Sequence, residues 1–110
     1  MRIVLIGPEI PDLENFCQKH QLSFVWFRST LEFESVTTDT SYTGTVKTFI
    51  INYNSNQVGR ELTSDMVEYL RHDKNFDETI LTTVEEFSDI PGLNGVVSLN
   101  GDLGEILDRP

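Results

Sequence analysis

Residues 45–73 constrain the fold more than any other part of this chain. They open with an apolar run rich in β-branched side chains, which predicts a buried β-strand. After a polar connection, apolar side chains recur at helical spacing and predict an amphipathic helix, with Thr63 or Ser64 as the expected N-cap. The apolar stripe of this helix comprises Leu62, Met66, Tyr69 and Leu70.

Four other segments in the first half of the chain predict further elements. A short continuous apolar run at residues 2–6 and a segment rich in aromatic and β-branched side chains at residues 22–27 predict two strands. The apolar stripe of residues 12–20 predicts a short helix between them. Residues 31–36 alternate apolar and polar side chains, which favours a strand with one face in water. We expect this strand to pair with residues 45–53 as an antiparallel hairpin.

The last third of the chain adds two short strands, at residues 80–83 and 96–99. Between them, Thr83 and Glu86 have the Thr-x-x-Glu spacing of a capping box, which predicts a short helix ending before Pro91.

These elements predict a single α/β domain that spans residues 1–110, with residues 104–110 as a loose tail. A length of 110 residues is typical of one domain with one core. We expect a mixed sheet of four to five strands with two to three helices. A ferredoxin-like arrangement and a small Rossmann-like arrangement both fit this order of elements.

The charge balance restricts the classes of partner. Eight basic against 18 acidic residues give a formal charge of −10, which disfavours nucleic-acid phosphates and anionic membrane surfaces. A protein with a basic surface is the more natural partner. Cys17 is the only cysteine, and no apolar run is long enough for a signal peptide or a membrane span, so we expect a cytoplasmic protein.

An acidic stripe on the predicted helix of residues 61–73 is the strongest functional signal. Its carboxylates recur at i, i+4 and i+7, opposite the apolar stripe, and further acidic residues follow it. We predict that these residues bind a basic partner, such as a nucleic-acid-handling protein, and modulate or inhibit it. The predicted protein-binding residues are Glu61, Asp65, Glu68, Asp77, Glu78, Glu85 and Glu86.

A small-ligand or catalytic site at the carboxyl ends of the strands is the alternative. Glu9 follows the first strand, while Asn52, Asn54 and Ser55 follow the strand of residues 45–53. If these two strands run parallel, the four side chains line a polar crevice, which is where open α/β sheets bind ligands. The segment around Gly7 and Pro8 lacks the repeated glycines that a pyrophosphate requires.

No other cluster predicts chemistry. Cys17 and His20 lie three residues apart on one helix, but both fall on its predicted apolar face, where a cysteine acts as a small hydrophobe. Arg71, His72 and Asp73 stand at a helix end, where cations complement the helix dipole. We therefore predict no catalytic residue, metal or cofactor and favour a non-enzymatic protein, while the oligomeric state stays open.

Overall fold

Five parallel strands form the centre of the molecule. The computed structural model describes residues 2–10, 13–36 and 46–97, and the predicted tail at residues 104–110 lies outside these ranges. Within them the strands stand in the order β2-β1-β3-β4-β5, one of the two common orders of doubly wound sheets. The strands are β1 (Arg2–Ile6), β2 (Ser23–Phe27), β3 (Val46–Ile51), β4 (Thr79–Thr82) and β5 (Gly95–Val96).

Within the same ranges, three α-helices connect or follow these strands. They are α1 (Leu13–Lys19), α2 (Thr30–Val36) and α3 (Gln57–Glu68). A π-helical turn, Tyr69–Asp73, continues α3, and a short 3-10 helix, Glu85–Phe87, follows β4. None of the helices in the described ranges is long and apolar enough to cross a membrane.

The prediction of a single α/β domain with four to five strands and two to three helices is confirmed, but the prediction of a mixed sheet is wrong. Every strand pair runs parallel, from β1 with β2 to β4 with β5. Residues 31–36 belong to α2 rather than to a strand, so the antiparallel hairpin does not form. The ferredoxin-like alternative is excluded as well, because that arrangement requires antiparallel pairs.

Caps and aromatic packing explain why α2 is a helix. The Ser29 hydroxyl accepts a hydrogen bond from the Glu32 backbone N–H at 3.1 Å, and the Glu32 carboxylate accepts one from the Arg28 N–H at 2.9 Å. This is close to a capping box, in which two free N–H groups are satisfied at the helix start. Phe33 is fully buried and makes edge-on contacts with Phe27 and Phe49, so α2 is fixed to the sheet.

Asn56 caps α3, so the prediction of Thr63 or Ser64 as its N-cap is wrong. The Asn56 side chain accepts a hydrogen bond from the Gly59 backbone N–H at 2.7 Å. Thr63 is instead buried within the helix, where its hydroxyl donates to the Gly59 carbonyl at 2.7 Å. The polar segment before Gly59 therefore starts the helix five residues earlier than the apolar stripe indicates.

The helices divide the core into two layers. On one face of the sheet, α2 and α3 pack on a cluster that includes Val4, Phe49 and Ile80. On the other face, α1 packs through Leu13 and Cys17 on a second cluster. Because α2 and α3 share a face, they stand side by side, and their outer surfaces form one continuous surface of the protein.

Candidate functional site

The carboxyl ends of β1 and β3 meet where a doubly wound sheet commonly binds its ligand. β1 continues towards α1 on one face of the sheet and β3 continues towards α3 on the other, which opens a crevice between them. Gly7 leaves β1 with a φ of +115°, and a Cβ there would lie 2.0 Å from the Asn52 carbonyl oxygen. A glycine is therefore required for the close approach of the two chain segments.

Asn52 spans this crevice with its side-chain amide. Its Nδ2 donates to the Pro8 carbonyl at 2.7 Å, and its Oδ1 accepts from the Thr83 hydroxyl at 2.7 Å. The Thr83 hydroxyl thus joins β4 to β3, and the prediction that Thr83 opens a capping box is wrong. The short 3-10 helix after it has no side-chain cap.

The four predicted crevice residues differ in what they contact. Asn52 is half-buried and carries the hydrogen bonds described above, whereas Glu9, Asn54 and Ser55 are exposed. The side-chain amide of Asn52 therefore already has a partner at Nδ2 and at Oδ1, and a ligand that took over either atom would have to replace an existing hydrogen bond. Binding of a small ligand here stays a prediction.

A groove of about 280 Å³ lies between the outer surfaces of α2 and α3. We call it the α2–α3 groove. Glu34 enters it from α2, while Asp65 and Glu68 enter it from α3. Its lining is completed by three residues of the π-helical turn, Tyr69, His72 and Asp73.

Four carboxylates give the α2–α3 groove its negative charge. Glu34, Asp65, Glu68 and Asp73 are all exposed, so their charges face water and can act on an approaching partner. The ammonium group of Lys74 lies 5.6 Å from the centre of the Tyr69 ring beside the groove. Among the six described residues that line the groove, four are acidic and none is Lys or Arg.

The remaining predicted acidic residues do not join this groove. Glu61 lies one turn before Asp65 on α3, where its carboxylate accepts a hydrogen bond from the Gln57 side chain at 3.1 Å. The exposed residues Asp77 and Glu78 precede β4, and Glu85 and Glu86 follow it. Because β4 has four residues, roughly 13 Å of strand separates the two pairs. The predicted acidic set is therefore divided among three places.

Sequence reasoning missed four residues of the α2–α3 groove. His72 continues the acidic stripe at helical spacing from Asp65, and Asp73 follows it, so both could have been found by extending the period. Glu34 had no such signal, because it reaches the groove only when its segment is helical and lies beside α3. Tyr69 was assigned to the apolar stripe, and it is only half-buried.

Arg71 has a structural role that the sequence did not indicate. Its guanidinium group donates to the carbonyls of Gly92, Phe76 and Glu78 and to the Asn94 side chain, at distances between 2.7 and 3.1 Å. These contacts use all five of its N–H donors and tie the end of α3 to the segments before β4 and β5. Partial burial lowers the pKa of Arg71, and the nearby Asp77 carboxylate opposes that shift.

Cys17 and His20 lie in different environments in the structure. Cys17 is buried, and burial together with the Glu14 charge raises the pKa of its thiol to about 11, so it is protonated at neutral pH. A protonated thiol is a poor nucleophile. His20 is exposed, contrary to its predicted place on the apolar face of the helix, and its ring lies 4.3 Å from that of Phe16.

Neither the search for a metal-binding group nor the comparison with known proteins indicates a function. Within the described ranges, no group of three or more His, Cys, Asp or Glu side chains is arranged to hold a metal ion. Comparison with protein-family models, curated proteins and solved structures found no match.

Proposed function

We propose that this protein is a non-enzymatic interaction module that binds a basic segment of another protein in the α2–α3 groove. This proposal rests on the convergence of four carboxylates around one groove. Glu34 comes from α2, Asp65 and Glu68 come from α3, and Asp73 comes from the π-helical turn. Lys or Arg side chains of a partner would enter this groove and meet several carboxylates at once. Such complementarity accelerates association and selects against acidic partners.

The geometry of the strand-end crevice also favours this proposal over a ligand-binding function. The amide of Asn52 is already bound to Pro8 and Thr83, so its polar atoms serve the contact between strand ends. The carboxylates of the α2–α3 groove, by contrast, face water on the outer surface of two helices. Their exposure supports the proposal that a basic partner binds there.

A nucleic-acid-handling protein is the partner class that we propose. Such proteins carry Lys and Arg clusters that neutralise phosphates, and a row of exposed carboxylates can occupy the same clusters. Binding of this kind would keep nucleic acid out and so inhibit or modulate the partner. The net charge of −10 adds long-range attraction to such a surface at low ionic strength.

Two matched triple variants test the proposed binding surface. The groove variant combines Glu34→Gln, Asp65→Asn and Glu68→Gln, and the control variant combines Glu14→Gln, Asp77→Asn and Glu78→Gln. Both remove three exposed negative charges, but only the first removes them from the groove. We expect basic proteins captured from a cell lysate by the wild type and the control to bind the groove variant about tenfold more weakly.

Quantitative capture at low and at high salt distinguishes the groove from bulk charge. High salt should release the partner from the wild type, because the interacting charges are exposed to solvent. Equal loss of binding in both triple variants would mean that only the net charge matters. Undiminished binding by the groove variant would refute the proposal outright.

A further inference from the structure

Two exposed apolar side chains stand at the starts of the helices that form the groove. Leu31 is 74% exposed and Val58 is 63% exposed, and they are the only exposed large hydrophobic residues among those whose burial the structure describes. Leu31 is the second residue of α2, and Val58 is the second residue of α3. Single exposed apolar residues are common on protein surfaces, so their relative placement decides whether they are informative.

Contacts around Tyr53 bring the two helix starts together. The Tyr53 hydroxyl accepts a hydrogen bond from the Thr30 backbone N–H at 2.9 Å, at the first turn of α2. The first turn of α3 lies directly on the next residue of the same segment, since a Cβ at Gly59 would be 1.9 Å from the Asn54 carbonyl oxygen. Leu31 and Val58 therefore flank one segment at the carboxyl edge of the sheet.

Each apolar residue lies on the same side of its helix as the groove carboxylates. Glu34 follows Leu31 at i+3 on α2, and Asp65 follows Val58 at i+7 on α3. These spacings place side chains on one helix face. Both helices thus begin with an exposed apolar residue and continue with carboxylates, and both run away from the same edge of the sheet. The surface has an apolar end and an acidic end, and on α3 the distance along the helix axis is about 10 Å from Val58 to Asp65 and about 15 Å from Val58 to Glu68.

We infer that the partner segment is bipartite, with bulky apolar residues at one end and Lys or Arg residues at the other. Its apolar end covers Leu31 and Val58, and its basic end occupies the α2–α3 groove. This inference rests on the proposed function and adds the pattern of the partner to it. Charge complementarity favours a basic segment of another protein as the occupant of the groove. A second copy of this chain has a formal charge of −10 and would be repelled from the four groove carboxylates.

Synthetic peptides with a fixed composition test this pattern. The bipartite peptides carry leucines at one end and lysines at the other, in both chain directions, and the scrambled peptide has the same residues in mixed order. Binding to the wild type is measured by fluorescence anisotropy. We expect one bipartite peptide to bind about tenfold more tightly than the scrambled peptide, because only it covers both apolar side chains while filling the groove.

Two variants separate failure of this inference from failure of the proposed function. Leu31→Ser combined with Val58→Ser should abolish the preference for the bipartite peptide and leave binding of the scrambled peptide unchanged. The groove variant should weaken both peptides. If the wild type shows no preference while the groove variant still weakens both peptides, the bipartite pattern is wrong and the proposed function stands. If the groove variant weakens neither peptide, both are wrong.

Discussion

Substitution of Arg71 by methionine is expected to lower the free energy of unfolding by about 3 kcal/mol. The change removes all five guanidinium hydrogen bonds, which reach Gly92, Phe76, Glu78 and Asn94. Methionine keeps most of the aliphatic stem but cannot donate to these oxygens. Arg71→Lys should recover only a small part of the loss, because an ammonium group cannot reproduce the planar arrangement of donors.

Arg60 provides the matched control for this prediction. Its guanidinium group also makes hydrogen bonds, to the Asp89 carboxylate at 2.9 and 3.0 Å, but that pair is exposed on the surface. Arg60→Met removes the same charge and should change stability far less. Urea unfolding compares the variants, with equal slopes required for a valid comparison. A loss for Arg71→Met no larger than that for Arg60→Met would show that Arg71 does not hold these segments together.

Gly59→Ala should destabilise the protein although it replaces a helical glycine. Helix propensity alone favours alanine by about 1 kcal/mol. The new Cβ, however, would lie 1.9 Å from the Asn54 carbonyl oxygen, and relief of that contact requires the backbone to move. A backbone contact this short belongs at the upper end of the usual overpacking cost, about 3 kcal/mol, so after the gain in helix propensity we expect a net loss of about 2 kcal/mol.

Gly95→Ala is the control substitution, because a Cβ there meets only the Leu81 side chain, at an ordinary 3.6 Å. Thermal unfolding should show a clear drop in Tm for Gly59→Ala and little change for Gly95→Ala. An unchanged or raised Tm for Gly59→Ala would mean that α3 does not pack on the Asn54 segment as described. The joint placement of Leu31 and Val58 would then lose its support.

The buried strands were predictable because their sequences carry one dominant signal. Residues 3–6 of β1 and residues 49–51 of β3 are continuous and apolar, since helices cover both faces of a parallel sheet, and both segments were identified as strands. α2 was misassigned because an alternation of apolar and polar residues over only six positions is compatible with a short strand and with a short helix. The decisive signals were the pair Ser29 and Glu32 at capping spacing and the packing of Phe33.

The candidate site could be predicted only in part. The stripe of Asp65 and Glu68 follows from the helical period of one segment, and the structure places both residues on the outer surface of α3. Their neighbour Glu34 comes from another helix, and its position depends on the parallel crossover that brings α2 beside α3. Contacts between distant segments depend on topology, and a helical period reports only on the segment that contains it.

The most direct test of the claim that the α2–α3 groove binds basic segments is to map, residue by residue, where a basic peptide binds. Isotope-labelled wild-type protein is titrated with an octalysine peptide, and the amide signals are followed by NMR at low salt. We expect the largest shifts to cluster at Glu34, Asp65, Glu68, His72 and Asp73 and to disappear at high salt. Equal shifts at Asp77, Glu78, Glu85 and Glu86, or the largest shifts at Glu9 and Asn52, would contradict the assignment of the α2–α3 groove as the binding surface.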